Sequence, residues 1–368
     1  MAASEIDRLI DQVKEAAASD RNQQRGKEKP FIGIGIEVPI AWTIIFDYDC
    51  RRCFDDPEFY VAQNLRQKLW AFENINDDTP IGADMPLWLG HYPEYTFFGM
   101  SLGVNARGMP LLDFHHPMTQ DPDLKYLEPI DFMTAGMMPH IMRMYEEIGR
   151  IVDGRLPCGF ITWNRGGLDL AIQLRGYNNF IFDTMERPEF VHALMGRVTE
   201  ERCKWYDALA EWSGNPLGVT GVADDWINVP YISPHIFEEF LMPGYLAIEA
   251  HHGGIASLHS CGDQTPIQKF MLQLKTLNYF EVSPWTDLAK TVENVPADKF
   301  LGIALHPNDI LVASPEQMRT KLEYIREHIQ GRNCHVASSG LTPIRDQYQD
   351  YLTRINTWLG LAREILRG

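Results

Sequence analysis

Apolar residues recur along this chain in two spacings, one typical of amphipathic helices and one typical of short buried strands. The first segment has helical spacing, at Ile6, Leu9, Ile10 and Val13. This spacing predicts an amphipathic helix, and the polar stretch 20–29 predicts a connector after it. The apolar run at 31–38 predicts a buried strand that ends at Pro39. Residues 1–30 are therefore expected to form an N-terminal helical arm.

Six later apolar runs, each followed by polar residues, predict further buried strands. They occupy residues 158–163, 217–223, 255–258, 279–282, 301–305 and 334–337. Helical patterns separate them, and two of these helices begin with an N-cap followed by proline, at Ser233-Pro234 and Ser314-Pro315. Gln317 completes a capping box at the second of these starts.

The alternation of strands and helices predicts a parallel sheet with helical crossovers. With the run at 31–38 and one strand placed within 81–115, the strand count reaches eight. Eight such units predict an α/β fold, a (β/α)8 TIM barrel over residues 31–368, which would form the catalytic domain. The active site of such a barrel lies at the carboxyl ends of its strands.

Composition narrows the classes of function. The chain has 368 residues and carries 33 Lys and Arg against 50 Asp and Glu, so that its net charge is −17. This charge argues against nucleic acid or an anionic membrane as the main partner and leaves a small-molecule substrate. The longest apolar stretch, residues 31–46, is interrupted by Glu37 and Pro39 and is too short to span a bilayer. With six scattered cysteines and no apolar secretory segment at the N-terminus, a cytoplasmic protein is expected.

The most specific local feature is the pair His259 and Cys261, separated by one residue at the end of a predicted strand. Side chains at positions i and i+2 of an extended segment point the same way, so the imidazole and the thiol would converge. Both are ligands that Zn²⁺ prefers, although a cysteine is also a common packing residue. Glu281, at the end of the next strand, is the preferred third ligand; its alternative role is a hydrogen-bonded carboxylate at the strand tip. Cys334 opens its strand and is expected at the other end of the barrel.

Other polar and aromatic groups follow the predicted strands. Asp224, Asp225 and His306 are candidates for proton transfer or ligand orientation; the alternative for the two acids is that one of them caps the following helix. Arg165 could clamp a carboxylate or phosphate, or could occupy a tight turn. The substrate-binding candidates are Trp163, Arg165, Trp226 and Asn308. For Asn308 the alternative role is a helix cap.

Several segments of the second half together resemble the uroporphyrinogen decarboxylase and corrinoid-methyltransferase superfamily. The resemblance extends from about residue 155 to the end and implies a (β/α)8 barrel. It rests on the order and spacing of residues 168–180, 186–192, 223–226, 232–243 and 258–262.

Two branches of this superfamily differ in their motifs. Its decarboxylases need no metal and carry an arginine-rich R-x-x-G-R segment after the first strand, whereas residues 37–44 contain no arginine here. Its methyltransferases carry the H-x-C pair that His259 and Cys261 match. They usually add a cysteine at the tip of the last strand, where this chain has Ala-Ser-Ser-Gly at 337–340. The resemblance therefore favours the methyltransferase branch, with this one departure.

The resemblance implies a zinc-dependent methyltransferase that moves a methyl group between a corrinoid carrier and a small thiol, pterin or methoxylated substrate. Zn²⁺ would be held by His259 and Cys261 with Glu281, while Arg165 and Asp225 would orient the substrate. Cobalamin would come from a partner corrinoid protein, and a homodimer is the remaining partner expectation. Two alternatives stay open: a metal-free lyase acting on a carboxylated substrate, and a non-catalytic barrel that binds a tetrapyrrole or corrinoid.

Overall fold

The computed structural model describes residues 4–105, 110–113, 115–344 and 348–368. The strands in this part of the chain are short, from two to six residues each. In chain order they are β1 (Phe31–Gly33), β2 (Met85–Pro86), β3 (Leu102–Val104), β4 (Pro110–Leu112), β5 (Cys158–Gly159), β6 (Thr220–Ala223), β7 (Ile255–His259), β8 (Tyr279–Val282), β9 (Phe300–Leu305) and β10 (Cys334–Ser338).

Helices precede, separate and follow these strands. In the described residues they are α1 (Glu5–Ala18), α2 (Asp20–Gln24), α3 (Ile40–Ile45), α4 (Arg51–Asp55), α5 (Pro57–Asn74), α6 (Pro93–Phe97), α7 (Met138–Val152), α8 (Gly167–Arg175), α9 (Tyr177–Glu186), α10 (Pro188–Ser213), α11 (Pro234–Ile236), α12 (Met242–His252), α13 (Gln268–Met271), α14 (Leu288–Asn294), α15 (Asn308–Leu311), α16 (Pro315–His328) and α17 (Tyr348–Arg367). A π-helical turn at Phe237–Leu241 joins α11 to α12. Short 3₁₀ turns lie at Pro117–Thr119, Leu124–Tyr126 and Thr265–Ile267.

Eight of the described strands are parallel and enclose a barrel. β6, β7, β8, β9, β10 and β1 form a six-stranded sheet in that order, and β2 pairs with β5. A bridge between Arg165 and Ala223 joins the segment after β5 to β6. β3 and β4 form a separate antiparallel hairpin between β2 and β5 along the chain. The predicted (β/α)8 barrel is confirmed.

The two edges of β1 are held in different ways. One edge pairs in parallel with β10. On the other edge, two carboxylates accept backbone hydrogen bonds in place of a partner strand. The N–H of Ile32 donates to Asp78 Oδ2 at 2.8 Å, and the N–H of Ile34 donates to Asp77 Oδ2 at 3.0 Å. Asp78 also contacts Arg367 of α17, so the C-terminal helix is tied to this edge.

Strand lengths differ from the prediction where contacts with other segments bend the chain. β1 ends at Gly33 instead of residue 38, and beyond it Ile36 keeps one bridge to Leu341. β5 has two residues instead of six. Its continuation turns toward β6, where the N–H of Ala223 donates to the carbonyl of Asn164 at 2.8 Å.

Helix starts with local capping signals agree with the prediction. Ser233 accepts a hydrogen bond from the N–H of Ile236 at 3.2 Å, and α16 begins with the predicted capping box of Ser314. The connector predicted at 20–29 is wrong over Asp20–Gln24, which form α2. The physical reason is a second N-cap, since Ser19 accepts a hydrogen bond from the third residue of this helix at 3.2 Å.

The predicted N-terminal amphipathic helix is present as α1. It packs against α5, and its Ile10 and Val13 are buried in the same core as the barrel strands. Cys334 is buried at the start of β10, as predicted. No helix in the described residues is both long and apolar enough to cross a membrane.

Candidate active site and metal centre

A cavity of about 640 Å³ opens at the carboxyl ends of the barrel strands. Its lining combines carboxylates, one guanidinium, two imidazoles, one thiol and several aromatic rings. The lining residues are Glu37, Trp88, His91, Tyr92, Tyr95, Asn164, Arg165, Asp169, Gln173, Gly221, Val222, Ala223, Asp225, Trp226, Ser257, His259 and Cys261.

Three potential metal ligands meet at one side of this cavity. His259 is the last residue of β7, Cys261 follows two residues later, and Asp225 lies two residues after β6. Cys261 Sγ is 3.5 Å from both His259 Nε2 and Asp225 Oδ1, and Nε2 is 3.4 Å from the same Oδ1. Their ligand atoms all lie within 4.8 Å of one another. The predicted pair therefore converges, and Asp225 joins it.

Glu281 contacts the same histidine from the opposite side of the ring. Its Oε2 lies 2.5 Å from His259 Nδ1, which leaves Nε2 directed to Cys261 and Asp225. The structure thus places Glu281, the predicted third ligand, behind the imidazole, where it fixes the ring orientation. This happens because Glu281 lies within β8, whereas Asp225 lies beyond the end of its strand and reaches over the cavity.

The charges in this cluster stabilise one another. Burial lowers the pKa of His259, but hydrogen bonds with Asp225, Cys261 and Glu281 outweigh it and raise that pKa to about 12. Burial raises the pKa of Asp225, but His259 and Arg165 outweigh it, so that this pKa lies below its usual range. These shifts favour a proton on Nε2 of His259, which faces Cys261 and Asp225. A bound cation would replace that proton.

Arg165 is the guanidinium of the cavity, and its charge is already paired. Nη1 donates to Asp169 Oδ2 at 2.8 Å and to Asp225 Oδ2 at 2.7 Å, while Nη2 lies 3.2 Å from His91 Nδ1. The buried Glu94 holds the backbone of this segment by accepting from the N–H of Arg165 at 3.3 Å. Burial and the charge of Asp225 raise the pKa of Asp169 to about 6, although Arg165 opposes them.

Asp224 lies outside the cavity lining, and its carboxylate caps the start of α8. Its carboxylate is fully buried and accepts hydrogen bonds from the N–H groups of Leu168 and Asp169, at 3.0 and 2.8 Å, and from the hydroxyl of Tyr245 at 2.7 Å. Burial raises its pKa well above the usual range. Gly166 is required here because a Cβ at this position would lie 2.1 Å from Asp224 Oδ2. Asp224 therefore caps α8, which precedes it in the chain, instead of the following helix that the alternative prediction named. Asp225 is the acid of this pair that lines the cavity.

Three other predicted residues lie outside the cavity lining. Trp163 is fully buried, and its Nε1 donates to the carbonyl of Arg165 at 3.1 Å. His306 follows β9, where its Nδ1 accepts from the N–H of Asn308 at 3.1 Å. These contacts give Trp163 a packing role and His306 a local turn role. Of the substrate-binding candidates, Arg165 and Trp226 line the cavity.

The structure adds cavity residues that the sequence pattern did not single out. They are Glu37, Trp88, His91, Tyr92, Tyr95 and Asp169. The aromatic density of residues 88–95 was a usable signal, as was the four-residue spacing of Arg165 and Asp169 at a helix start. The tip of the last strand has no thiol: Ser338 Oγ accepts from the N–H of Gly35 at 2.9 Å.

Comparisons with known proteins agree with this architecture. The family model described as uroporphyrinogen decarboxylase (URO-D) matches residues 94–343. Among solved structures, a methyltransferase from Methanosarcina mazei is similar, with a TM-score of 0.65 and 16% sequence identity. That alignment covers 96% of this chain and 98% of the methyltransferase, and at this identity it shows a shared fold. Among curated proteins the comparison finds no match.

Proposed function

Because the chain belongs to the uroporphyrinogen decarboxylase family, matched over residues 94–343, we propose that it is a zinc-dependent methyltransferase within that family. The methyl group would pass between the cobalamin of a partner corrinoid protein and a small thiol, pterin or methoxylated substrate. The observation that supports this proposal is the convergence of His259, Cys261 and Asp225 on one side of the cavity.

The donor set suits zinc. Imidazole nitrogen, thiolate sulfur and carboxylate oxygen are its usual ligands, and catalytic zinc sites commonly use three protein ligands. Glu281 supports the set, since zinc-binding histidines usually pair their other ring nitrogen with a carboxylate. Zinc bound by these residues would supply Lewis acidity that lowers the pKa of a thiol or of a leaving oxygen.

The residues around the ligands have separate tasks in this proposal. Glu281 keeps Nδ1 of His259 occupied, so that Nε2 faces the ligand cluster. Arg165 restrains Asp225 through one carboxylate oxygen and leaves the other oxygen turned toward Cys261. Trp226 lines the cavity and is held in place by stacking on Tyr177. Each contact reduces the motion of a group that must be positioned before reaction.

The charge of the cavity is a further argument for methyl transfer over decarboxylation of a polycarboxylate. A substrate with several carboxylates needs unpaired cationic partners. Within the described lining, Arg165 is already bound to Asp169 and Asp225. The cavity also contains Glu37, so that carboxylates outnumber guanidinium groups.

The test is metal analysis combined with a methyl-transfer assay. We expect purified protein to contain near-stoichiometric zinc by mass spectrometry, and Cys261→Ser and His259→Ala to lose most of it. The matched control is Cys203→Ser, a thiol on α10 outside the cavity lining. Demethylation of free methylcobalamin by a panel of thiols, followed by visible absorbance, should fall with the zinc content. Protein without zinc, or zinc retained in both ligand variants, would overturn the proposal.

A further inference from the structure

We propose that the cavity recognises its small substrate as a cation, through an alkylated ammonium group held between aromatic rings and carboxylates. This inference deepens the proposed function, on which it rests for the reaction, by naming the charge class of the substrate. Its evidence is the composition of the cavity wall, which does not involve the metal ligands other than Asp225.

Aromatic rings form one wall of the cavity. Trp88 and Tyr92 lie between β2 and α6, and Tyr95 lies within α6; we call these three residues the aromatic wall. The rings of Tyr92 and Tyr95 have centroids 6.0 Å apart. On β6's side of the cavity, Trp226 stacks on Tyr177 with centroids 5.5 Å apart. The faces of such rings attract alkylated ammonium groups within about 6 Å of their centroids.

Asp169 contributes a buried carboxylate to the cavity wall. Its side chain is only 1% exposed and lines the cavity. Oδ2 accepts from Arg165, whereas Oδ1 has no hydrogen-bond partner within the structure as described. The negative charge of this carboxylate attracts an ammonium group in the cavity through the Coulomb interaction, without a hydrogen bond.

Glu37 adds a second carboxylate from the end of the first strand segment. Among the described residues its carboxylate forms no ion pair or hydrogen bond, and burial raises its pKa. Gly340 makes room for it, since a Cβ at that position would lie 1.9 Å from Glu37 Oε2. The glycine after the last strand therefore allows this carboxylate to lie against the backbone at the cavity wall.

The balance of charge favours a positive ligand. Zinc would be neutralised by the thiolate of Cys261 and the carboxylate of Asp225. Of the remaining charged groups in the lining, Arg165 offsets Asp169, so that the carboxylate of Glu37 is left uncompensated. An anionic ligand would face this carboxylate and the electron-rich faces of the aromatic wall, whereas a cationic ligand is attracted by both.

The experiment compares three probes of similar shape and different charge. They are choline, its neutral analogue 3,3-dimethylbutan-1-ol and the anion 3,3-dimethylbutanoate. Binding to the purified protein is measured by titration calorimetry and by tryptophan fluorescence, and zinc is measured in the same preparation. We expect choline to bind at least about tenfold more tightly than the neutral analogue, as cation–π and charge interactions in a desolvated site predict. The anion should bind most weakly.

Two variants test whether Glu37 and Trp88 cause the preference for choline over its neutral analogue. Glu37→Gln and Trp88→Leu should each weaken choline binding by about three- to tenfold and leave binding of the neutral analogue nearly unchanged. The exposed Glu327→Gln on α16 is the matched charge control. Equal affinities for choline and its neutral analogue, no binding of either, or preference for the anion would overturn this inference.

The two proposals fail in distinguishable ways. Protein that contains zinc but shows no preference for choline contradicts the cationic substrate alone. Protein that prefers choline but contains no zinc contradicts the zinc methyltransferase alone.

Discussion

Glu281 and Asp225 show how a difference of two residues in strand position changes the side from which a carboxylate meets the same imidazole. The two acids belong to the strand segments on either side of β7, and both contact His259. Glu281 lies within its strand and meets Nδ1, while Asp225 lies past its strand and meets the side of the ring that faces Cys261. The direction from which each carboxylate approaches the ring determines its role.

Removal of the Glu281 carboxylate should weaken metal binding without removing a ligand. In Glu281→Gln the imidazole of His259 loses a charged partner at Nδ1, and we expect metal affinity to fall about tenfold or more. Competition with a chelator of known affinity measures this change. Glu327→Gln serves as the control on an exposed helix surface. Unchanged affinity in Glu281→Gln would show that the carboxylate does not support the site.

At the scale of single residues, part of the candidate site could be predicted from the sequence. His259 and Cys261 could be predicted because the alternation of side chains along a strand is a local property. Asp224 and Asp225 could not be separated, because adjacent residues face opposite sides and the sequence does not say which side is which. In the structure the N–H of Asp224 donates to the carbonyl of His259 at 3.0 Å, and its side chain points to α8.

At the scale of elements, a buried contact joins the end of α12 to the middle of α10. His252 Nε2 accepts from Arg202 Nη1 at 3.1 Å, and its Nδ1 donates to the carbonyl of Gly218 at 3.1 Å. Both residues are buried. The imidazole must be neutral to accept from a guanidinium, and burial together with Arg202 lowers the pKa of His252 to about 4.

This contact predicts a pH dependence of stability. Between pH 6.5 and about 4 the unfolded chain takes up a proton at His252 and the folded protein does not, so stability falls as the pH falls. The loss should approach about 3 kcal/mol over this window. Urea unfolding across the pH range measures it, and His252→Gln should remove this part of the slope. The exposed His235→Gln should leave it in place; an unchanged slope in His252→Gln would contradict the assignment.

Elements could be predicted where their signals are local. The caps Ser233 and Ser314 are confirmed because a side-chain oxygen and an N–H a few residues away are enough to start a helix. The length of β5 could not be predicted, because the chain after β5 turns away from its partner strand β2. In that segment Arg165 forms a bridge to Ala223 of β6. The aromatic density of residues 88–95 is visible in the sequence, but only the closed barrel shows that Trp88, Tyr92 and Tyr95 line one cavity.

For the whole molecule, Arg367 ties the last helix to the first strand. Its guanidinium donates to the carbonyl of Pro30 at 2.9 Å and to Glu28 at 2.7 Å, and it contacts Asp78. Arg367 and Asp78 are only 11% and 10% exposed, so this ion pair is largely shielded from water. Asp78 in turn accepts the N–H of Ile32. The contact therefore links the C-terminal helix to the edge of the barrel.

Truncation of this arginine should destabilise the protein. Arg367→Ala removes one of two cationic partners of Asp78 and leaves Arg363, whose Nη2 lies 3.8 Å from Asp78 Oδ1. Removal of one member of a shielded ion pair costs about 3 kcal/mol when no second partner remains, so we expect a loss of about 2 kcal/mol here. Urea unfolding is the measurement, and Arg326→Ala on the exposed surface of α16 is the control. If both variants unfolded at the same urea concentration, the contact would not contribute to stability.

The barrel itself was predictable because many weak signals agree. The apolar runs, the helix caps and the strand count each allow errors of several residues, yet together they require one parallel closed sheet. The region 81–115 was predicted least well, since its pattern indicated one strand and the described part of the structure has β2, α6, β3 and β4 there. That region supplies the aromatic wall, so the part of the fold that the pattern described least is the part that shapes the cavity.

The pairing of β1 with β10 also governs the order in which the chain can acquire its structure. Phe31 lies opposite His335, so about 300 residues must be made before the amino-terminal strand meets its neighbour. Until then, Asp77 and Asp78 are the nearest groups in the chain that can satisfy one edge of β1. Contacts of such long sequence separation form slowly. We therefore expect closure of the barrel to be the late, rate-limiting event of folding.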